Sequence, residues 1–224
     1  MTETSREKTD QHSLSRGVQR IWLVRHGQTL WNEQGRFSGH TDIPLSPLGR
    51  RQAGKLALQL QQRPIAAVYS SDLSRAKDTA QIIANKQQLD IIISSAWREI
   101  NFGAWEGLTY DEIATAFHNQ LGFFTDPEHY APPHGETLTE VVRRVIPAII
   151  TLVQHTHKSE IVLVSHGGVL RGLLCSLLGM PFSNQWQLRI DTGSLNAIDV
   201  SLDEKGNLLA TLAGLNMNTP VVGA

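Results

Sequence analysis

The stretch IWLVRHGQTLWN, residues 21–32, runs from an apolar segment directly into charged and polar side chains. Four apolar residues, 21–24, precede Arg25, His26 and a glycine. A short apolar run that ends at a turn signal is consistent with a strand buried on both faces. A second stretch, IVLVSHGGVLRG at residues 161–172, repeats the pattern and places His166 after its apolar run. The sequence therefore predicts two buried strands, each with a histidine at its carboxyl end.

Apolar runs alternate with segments of helical periodicity along the rest of the chain. Further strands are predicted at 65–70, 89–95 and 196–202. Helices are predicted at 46–62, 73–88, 137–155 and 167–179, with Pro147 expected to kink the third helix or to restart it. Alternation of this kind favours a three-layer α/β/α sandwich with a mostly parallel sheet. The last two apolar segments flank DEKGN, residues 203–207, and are expected to add an antiparallel edge.

Composition limits the classes of partner. The net charge of −1 provides no basic field to attract nucleic acid or an anionic membrane. The single cysteine, Cys175, excludes an internal disulfide framework. No apolar stretch approaches the roughly 20 residues that span a bilayer, and the first residues lack the apolar core of a secretory signal. We therefore expect a cytoplasmic protein that binds neither nucleic acid nor a membrane.

The chain is expected to contain one domain. Residues 1–17 carry charges and hydroxyls with almost no apolar side chains, and they are predicted to be a disordered polar leader. Residues 18–224 are long enough for a single domain with a sizeable core. The stretch 102–135 is the least regular part of it and is expected to cover a site at the sheet. An exposed strand edge is able to pair with a second copy, so a homodimer is an open expectation.

Five chemically active side chains lie where predicted strands end or shortly afterwards. They are Arg25, His26, Arg75, Glu99 and His166. Because ligands bind beyond the carboxyl ends of parallel strands, we expect these side chains to share one rim. The guanidinium fork matches phosphate oxygens, and two arginines nearly balance the charge of a phosphate monoester. A neutral imidazole is able to attack phosphorus, and a nearby carboxyl group is able to protonate the leaving alkoxide.

Each of these residues also has an ordinary structural interpretation. A histidine at a strand end is often only hydrogen-bonded, and Arg75 beside Asp72 and Asp78 resembles a surface ion pair. His155 and His157 lie two positions apart at a helix end, where complementing the helix dipole is the simpler role. Two arginines beside the strand-end histidines disfavour a metal there, so we expect neither a metal nor a cofactor. Spacing and composition alone indicate a phosphate-handling α/β protein.

The motif blocks together resemble the histidine phosphatase superfamily, also called the phosphoglycerate mutase-like family. The similar blocks occur in family order, and they are LVRHGQTLWN, GRFSGHTDIPLSPLGRRQA, VYSSDLSRAKDTA, REINFGAWEG and VSHGGVLRG. The resemblance implies the phosphoglycerate mutase-like fold and a phosphohistidine formed on His26. It implies phosphate binding by Arg25 and Arg75, a steadying second histidine at His166 and a proton donor at Glu99.

The resemblance also suggests further contacts with phosphate or substrate. Asn32 matches a residue that contacts phosphate in many members, and Thr29 belongs to the same motif. Gly167 is expected to let a helix N-terminus approach the phosphate. Glu136 in HGET resembles a family position near the phosphate. Trp105 and Tyr110, with aromatic residues of the 102–135 stretch, are candidates for an apolar substrate pocket, although several of them are equally suited to anchoring that stretch to the core.

The residues that follow Glu99 favour the phosphatase branch of this family. Phosphoglycerate mutases follow this glutamate with cationic residues that hold the substrate carboxylate. Here Ile100 and Phe102 follow instead, and Tyr110 stands at the position of a mutase lysine. The expected reaction is hydrolysis of a small phosphorylated metabolite, without a metal. A phosphoglycerate mutase and a non-catalytic phosphate-binding scaffold remain the alternatives.

Overall fold

The computed structural model describes residues 18–155 and 160–217. The predicted disordered leader at 1–17 and His157 lie outside the described residues.

One six-stranded sheet forms the centre of the molecule. Its strands are β1 Gln19–Arg25, β2 Ile65–Ser70, β3 Ile91–Ile93, β4 Glu160–Ser165, β5 Leu195–Leu202 and β6 Leu208–Gly214. They lie in the order β3-β2-β4-β1-β5-β6. Parallel pairing joins β3 to β2, β2 to β4 and β4 to β1, whereas β5 and β6 add an antiparallel edge. The predicted mostly parallel sheet with an antiparallel edge is confirmed.

Six helices accompany the sheet in the described residues. They are α1 Leu30–Glu33, α2 Pro47–Leu60, α3 Ser74–Gln87, α4 Tyr110–Ala116, α5 Leu138–His155 and α6 Gly167–Leu177. Helix α2 begins as its sequence predicts, because the side chain of Ser46 accepts a hydrogen bond from the Gly49 amide and Pro47 occupies the first turn. Helices α1 and α4 were not predicted from the sequence.

Helix α5 runs through Pro147 as one element, so the predicted restart does not occur. A proline removes one helical hydrogen bond. Val141 and Val145 before the proline, and Ile149 after it, are completely buried. Packing of this apolar stripe on both sides of Pro147 holds the two halves in one helix.

The predicted strand at 89–95 is shorter than its apolar run. Only Ile91–Ile93 pairs with β2, and a 3-10 turn follows at Ser95–Trp97. The side chain of Ser94 accepts a hydrogen bond from the Ala96 amide, which starts the turn and ends the strand.

Two cores cover the two faces of the sheet. Alternate residues of β1 divide between them: Ile21 and Leu23 pack on the side of α5 and α6, whereas Trp22 and Val24 pack on the side of α2 and α3. This arrangement is the predicted three-layer sandwich. The stretch 102–135 belongs to the first core, since Trp105 and Phe123 are completely buried in it.

Candidate active site

The parallel pairing of β1 with β4 brings the two strand-end histidines together. Arg25 lies opposite Ser165 in the register, so the next residues of the two strands, His26 and His166, emerge side by side. The His26 amide donates to the Ser165 carbonyl at 3.0 Å and extends the pairing by one residue. The two imidazole centroids lie 5.0 Å apart with the rings inclined by 62°.

A backbone carbonyl determines the tautomer of His26. Nδ1 lies 2.7 Å from the Gly27 carbonyl oxygen, which only accepts hydrogen bonds, so Nδ1 carries the proton. Nε2 therefore keeps its lone pair. Burial, together with the positive charges of Arg75 and Arg25, holds the pKa of His26 well below its ordinary value. The imidazole is neutral at physiological pH.

His166 is completely buried, and neither of its ring nitrogens has a hydrogen-bond partner among the described residues. Burial and the same two arginines hold its pKa well below the ordinary value as well. Unpaired polar atoms inside a protein are costly and are common where a ligand binds. His166 also caps α6, so its ring stands at the start of that helix.

Arg25 and Arg75 approach the histidines from different elements. Arg25 ends β1 and its Nη1 donates to the Ile190 carbonyl at 2.7 Å. Arg75 is completely buried in the first turn of α3, where Nη1 and Nη2 donate to the carbonyls of Thr41 and Gly39 at 2.9 and 2.6 Å. Burial lowers the pKa of Arg25 to about 10 and lowers that of Arg75 too. Both guanidiniums remain charged, and the Nε of each has no partner among the described residues.

Backbone amides at the start of α6 hold the carboxylate of Glu99. One oxygen accepts from the amides of Ile100 and Val169 at 2.9 and 3.2 Å, and the other accepts from Gly168 at 3.2 Å. A side chain at Gly168 would place its Cβ 2.7 Å from a Glu99 carboxylate oxygen and 2.4 Å from Ile100 Cδ1. Only glycine lets this carboxylate approach the helix so closely.

Two hydrogen bonds to its carbonyl oxygen fix the backbone of Glu99. Its carbonyl oxygen accepts from Arg144 Nη2 and from His40 Nε2, both at 2.9 Å. Glu136 accepts two hydrogen bonds from Arg144 at 3.2 Å and one from the Asn101 amide at 2.9 Å. Glu136 does not line the cleft. The carboxylate of Glu136 is engaged by Arg144 and Asn101, and its contact with phosphate or substrate stays a prediction.

Thr29 and Asn32 form the reciprocal cap of α1. The Thr29 side chain accepts from the Asn32 amide at 3.2 Å, and Asn32 Oδ1 accepts from the Thr29 amide at 3.0 Å. Asn32 lines the cleft with its side-chain NH2 group left to donate, whereas Thr29 is completely buried and does not line it. Thr29 therefore positions Asn32, and its own contact with a ligand stays a prediction.

One cleft of about 470 Å³ lies at these strand ends, and His166, Thr29 and Glu136 are not among the described residues that line it. Arg25, His26, Asn32, Arg75, Glu99 and Gly167 line it as predicted. Other residues that line the cleft were not identified from the sequence, and they are Gln28, Gly35, Arg36, Phe37, Ser38, Gly168, Arg171, Gln185, Trp186, Asp191 and Thr192. A sequence signal existed for Arg171, which lies four residues after Gly167 and so on the same face of α6.

The comparisons with known proteins agree with this geometry. The family model described as "Histidine phosphatase superfamily (branch 1)" matches residues 21–212. The chain belongs to this superfamily.

Relatives in the superfamily carry phosphatase and mutase names. The adenosylcobalamin/α-ribazole phosphatase of Escherichia coli K12 is 35% identical over 88% of this chain and 95% of its own length. A Yersinia pestis protein named "probable phosphoglycerate mutase" is 36% identical over 80% of this chain and 84% of its own length. Among solved structures, a mycobacterial glucosyl-3-phosphoglycerate phosphatase complexed with VO3 has 31% identity and a TM-score of 0.80, covering 91% of this chain and 100% of its own.

The structure places two further predicted residues of this histidine phosphatase in an aromatic cluster. Trp105 is completely buried, stacks on Phe124 at 5.0 Å and does not line the cleft. Tyr110 is 52% exposed and packs edge-on against Phe124, outside the cleft lining. These aromatic residues anchor the 102–135 stretch to the core. The apolar wall of the cleft comes instead from Phe37, Ile100, Phe102 and Trp186.

No group of three or more His, Cys, Asp or Glu side chains in the described ranges is arranged to hold a metal ion. His155 Nδ1 donates to the Thr151 carbonyl at 2.6 Å, at the end of α5. In the same ranges, none of the helices has the length and apolar character needed to cross a bilayer.

Proposed function

We propose that this histidine phosphatase hydrolyses small phosphate monoesters through a phosphohistidine on His26. One observation carries the proposal: a neutral imidazole with a free Nε2 lies beside buried nitrogen atoms of Arg25, Arg75 and His166 that have no hydrogen-bond partner in residues 18–155 and 160–217. This arrangement offers a nucleophile and, next to it, donors for phosphate oxygens. Its positive charge suits the phosphate dianion.

In the first step, Nε2 of His26 attacks phosphorus opposite the leaving oxygen. The N–P bond forms as the ester P–O bond breaks, and negative charge stays on the three equatorial oxygens. Arg25, Arg75 and the protonated nitrogen of His166 donate to these oxygens. The donors are already in place before the reaction, so little reorganisation opposes it.

Glu99 is proposed as the proton donor for the departing alkoxide. Its carboxyl group lines the cleft and is held by the amides of Ile100, Gly168 and Val169. After the alcohol leaves, the same carboxylate takes a proton from water, which attacks the phosphohistidine and releases inorganic phosphate. The carboxyl group thus returns to its starting state.

The shape of the cleft supports a metabolite-sized substrate. A volume of about 470 Å³ falls within the range of small-molecule sites. The relatives named above include phosphatases whose names specify small phosphorylated compounds. The organic part of the ester would lie against the apolar wall formed by Phe37, Phe102 and Trp186.

A phosphoglycerate mutase is the second candidate, and it is favoured by the name of the Yersinia pestis relative. The wall next to Glu99 argues against it. Ile100 and Phe102 are apolar and Tyr110 lies outside the cleft, so the segment that follows Glu99 contributes only apolar side chains to this wall.

A turnover assay tests the proposal against both alternatives. We expect the purified protein to release phosphate from para-nitrophenyl phosphate and from metabolite phosphates without a bisphosphorylated primer. Interconversion of 2- and 3-phosphoglycerate that depends on such a primer, with no net phosphate release, would identify a mutase. Phosphate binding without turnover of any ester would identify the scaffold.

A further inference from the structure

The two carbonyl groups that hold the Arg75 guanidinium come from an irregular loop. Gly39 and Thr41 lie between α1 and α2, outside any helix or strand. Gly39 has a φ of 49°, in the left-handed region that favours glycine. The carbonyl oxygens of Gly39 and Thr41 accept from Nη2 and Nη1 of Arg75 at 2.6 and 2.9 Å. The direction of this guanidinium therefore depends on the conformation of residues 39–41.

The carboxylate of Glu106 holds this loop. Its Oε1 accepts from the His40 amide at 2.8 Å, and its Oε2 accepts from the Thr41 amide at 2.7 Å and from the Thr41 hydroxyl. Oε1 also accepts from the Phe102 amide at 3.3 Å. Hydrogen bonds to an ionised carboxylate are stronger than those between neutral groups. Glu106 thus ties the loop to the start of the 102–135 stretch.

The Gly39–His40 peptide group is hydrogen-bonded at both ends. Its N–H donates to Glu106, and its C=O accepts from Arg75. In a trans peptide these two bonds point in opposite directions, so the peptide group lies between the carboxylate and the guanidinium. Hydrogen bonds in such a chain polarise and strengthen one another. A side chain at Gly39 would collide with Glu106 Oε1, so glycine is required for this approach.

Glu106 acts on Arg75 without touching it. Among residues 18–155 and 160–217, Arg75 forms no salt bridge. Burial lowers the pKa of Arg75, and the negative charges of Glu99, Asp42 and Glu106 oppose that shift. Glu106 therefore supports the charged guanidinium in two ways, by its field and through the peptide groups of the loop.

We propose that Glu106 is a positioning residue for Arg75 in phosphoryl transfer. The inference rests on the proposed function, in which Arg75 donates to the equatorial oxygens of the transferring group. Glu106 is not among the described residues that line the cleft, so its effect passes through residues 39–41. Loss of its carboxylate frees the loop, and the guanidinium then leaves the position that stabilises the transition state.

Glu106→Gln tests the proposal with para-nitrophenyl phosphate as substrate. Glutamine keeps the size of glutamate but presents an NH2 group, which does not accept from the loop amides. We expect kcat/KM to fall about 10²-fold, the cost of misplacing a group by about 1 Å. The leaving group of this ester departs without protonation, so an effect through Glu99 contributes little. Unchanged kcat/KM, or a loss confined to alkyl phosphates, would overturn the inference.

Glu140→Gln is the matched control. Glu140 is exposed at the start of α5, and its Oε2 accepts from the amide and the hydroxyl of Thr137 at 2.8 and 3.0 Å. The substitution removes the same kinds of hydrogen bond as Glu106→Gln, but away from the cleft. It should leave kcat/KM for para-nitrophenyl phosphate unchanged.

A double-mutant cycle separates positioning from a general effect on the fold. Arg75→Ala alone should lower kcat/KM by about 10²- to 10³-fold, the usual cost of removing a donor to transition-state charge. Because Glu106 acts through Arg75, adding Glu106→Gln to Arg75→Ala should cause no further loss. Losses that multiply, to about 10⁴-fold or more, would show independent roles and overturn the inference.

Substitutions at Thr41 keep the inference testable if Glu106→Gln does not fold. Thr41 is exposed, and its hydroxyl donates to Glu106. Thr41→Val removes this hydroxyl and keeps the shape of the side chain, whereas Thr41→Ser keeps the hydroxyl. We expect Thr41→Val to lower kcat/KM about fivefold, the range of one hydrogen bond, and Thr41→Ser to preserve it. Equal kcat/KM in these two variants would contradict the positioning role.

The failures of the two proposals are distinguishable. No turnover of para-nitrophenyl phosphate or of metabolite phosphates by the unsubstituted protein would overturn the proposed function, and the role of Glu106 with it. Turnover that is the same in the unsubstituted protein and in Glu106→Gln would overturn only the positioning role.

Discussion

At the scale of single residues, the neutral state of two buried histidines is the most consequential property of the site. Burial and two arginines lower the pKa of His26 and of His166 well below 6.5. Below about pH 6.5 the unfolded chain binds protons at these positions and the folded chain does not. The free energy of unfolding therefore falls as the pH decreases through this range.

We predict that His166→Asn reduces this pH dependence. Removing one such histidine should lower the slope of unfolding free energy against pH by up to about 1.4 kcal/mol per pH unit below about pH 6.5. Urea unfolding between about pH 5 and 7, in a buffer without phosphate, measures the slope. His129→Asn is the control. Asp126 raises the pKa of His129, so protonated His129 stabilises the folded state and this stabilisation is lost as the pH rises. Parallel curves for wild type and His166→Asn would contradict the neutral assignment.

The proton donor is tested by its dependence on the leaving group. We predict that Glu99→Gln lowers kcat for alkyl phosphates by about 10²- to 10⁴-fold, the usual contribution of acid catalysis. The loss for para-nitrophenyl phosphate should be much smaller, because that leaving group departs without protonation. Glu128→Gln, on the exposed surface, should change neither rate. Equal losses on both substrate types would show that Glu99 is not the acid.

At the scale of elements, the first residues of α6 hold the carboxylate of Glu99, and Gly168 allows this carboxylate to approach the helix. We predict that Gly168→Ala lowers kcat for alkyl phosphates by about 10²-fold, because the added Cβ meets Glu99 and Ile100 and misplaces the acid. Steady-state kinetics measure this loss. Gly54→Ala makes the same change inside α2, where nothing lies within 4 Å, and should leave kcat unchanged while stabilising the protein by up to about 1 kcal/mol. Unchanged kcat in Gly168→Ala would contradict the positioning role.

Most helices and strands could be predicted because the spacing of the apolar residues and the cap residues indicate the same structure. Helix α2 and strand β2 begin and end close to their sequence signals. Helix α4 was missed although Thr109 and Glu112 form a capping box that is visible in the sequence. The length of β3 could not be predicted, because its end depends on the competing turn at Ser94.

At the scale of the whole molecule, the fold brings to one rim residues that are widely separated in the chain. His26 and Glu99 could be predicted to meet because the carboxyl ends of parallel strands share an edge. Arg171 was missed although its spacing from Gly167 places both residues on one face of α6, whereas the position of Gln185 depends on how the segment after α6 folds back. For Trp105 the sequence left two interpretations open, since an aromatic residue in an irregular stretch serves equally well as core or as pocket wall, and the structure buries it completely.

The molecule should act without a metal ion. Four guanidiniums line the cleft, those of Arg25, Arg36, Arg75 and Arg171, and they repel a divalent cation. We predict that dialysis against a chelator leaves the hydrolysis of para-nitrophenyl phosphate unchanged. Lost activity that a divalent ion restores would contradict this prediction.

The most direct measurement of the central claim is to trap the phosphoenzyme. The protein is mixed rapidly with a phosphate monoester, quenched in alkali, which preserves the N–P bond of phosphohistidine, and digested for peptide mass spectrometry. The account predicts phosphate on the peptide that contains His26, and neither phosphopeptide nor turnover in His26→Ala. Phosphate on a different residue, or appreciable turnover by His26→Ala, would contradict it.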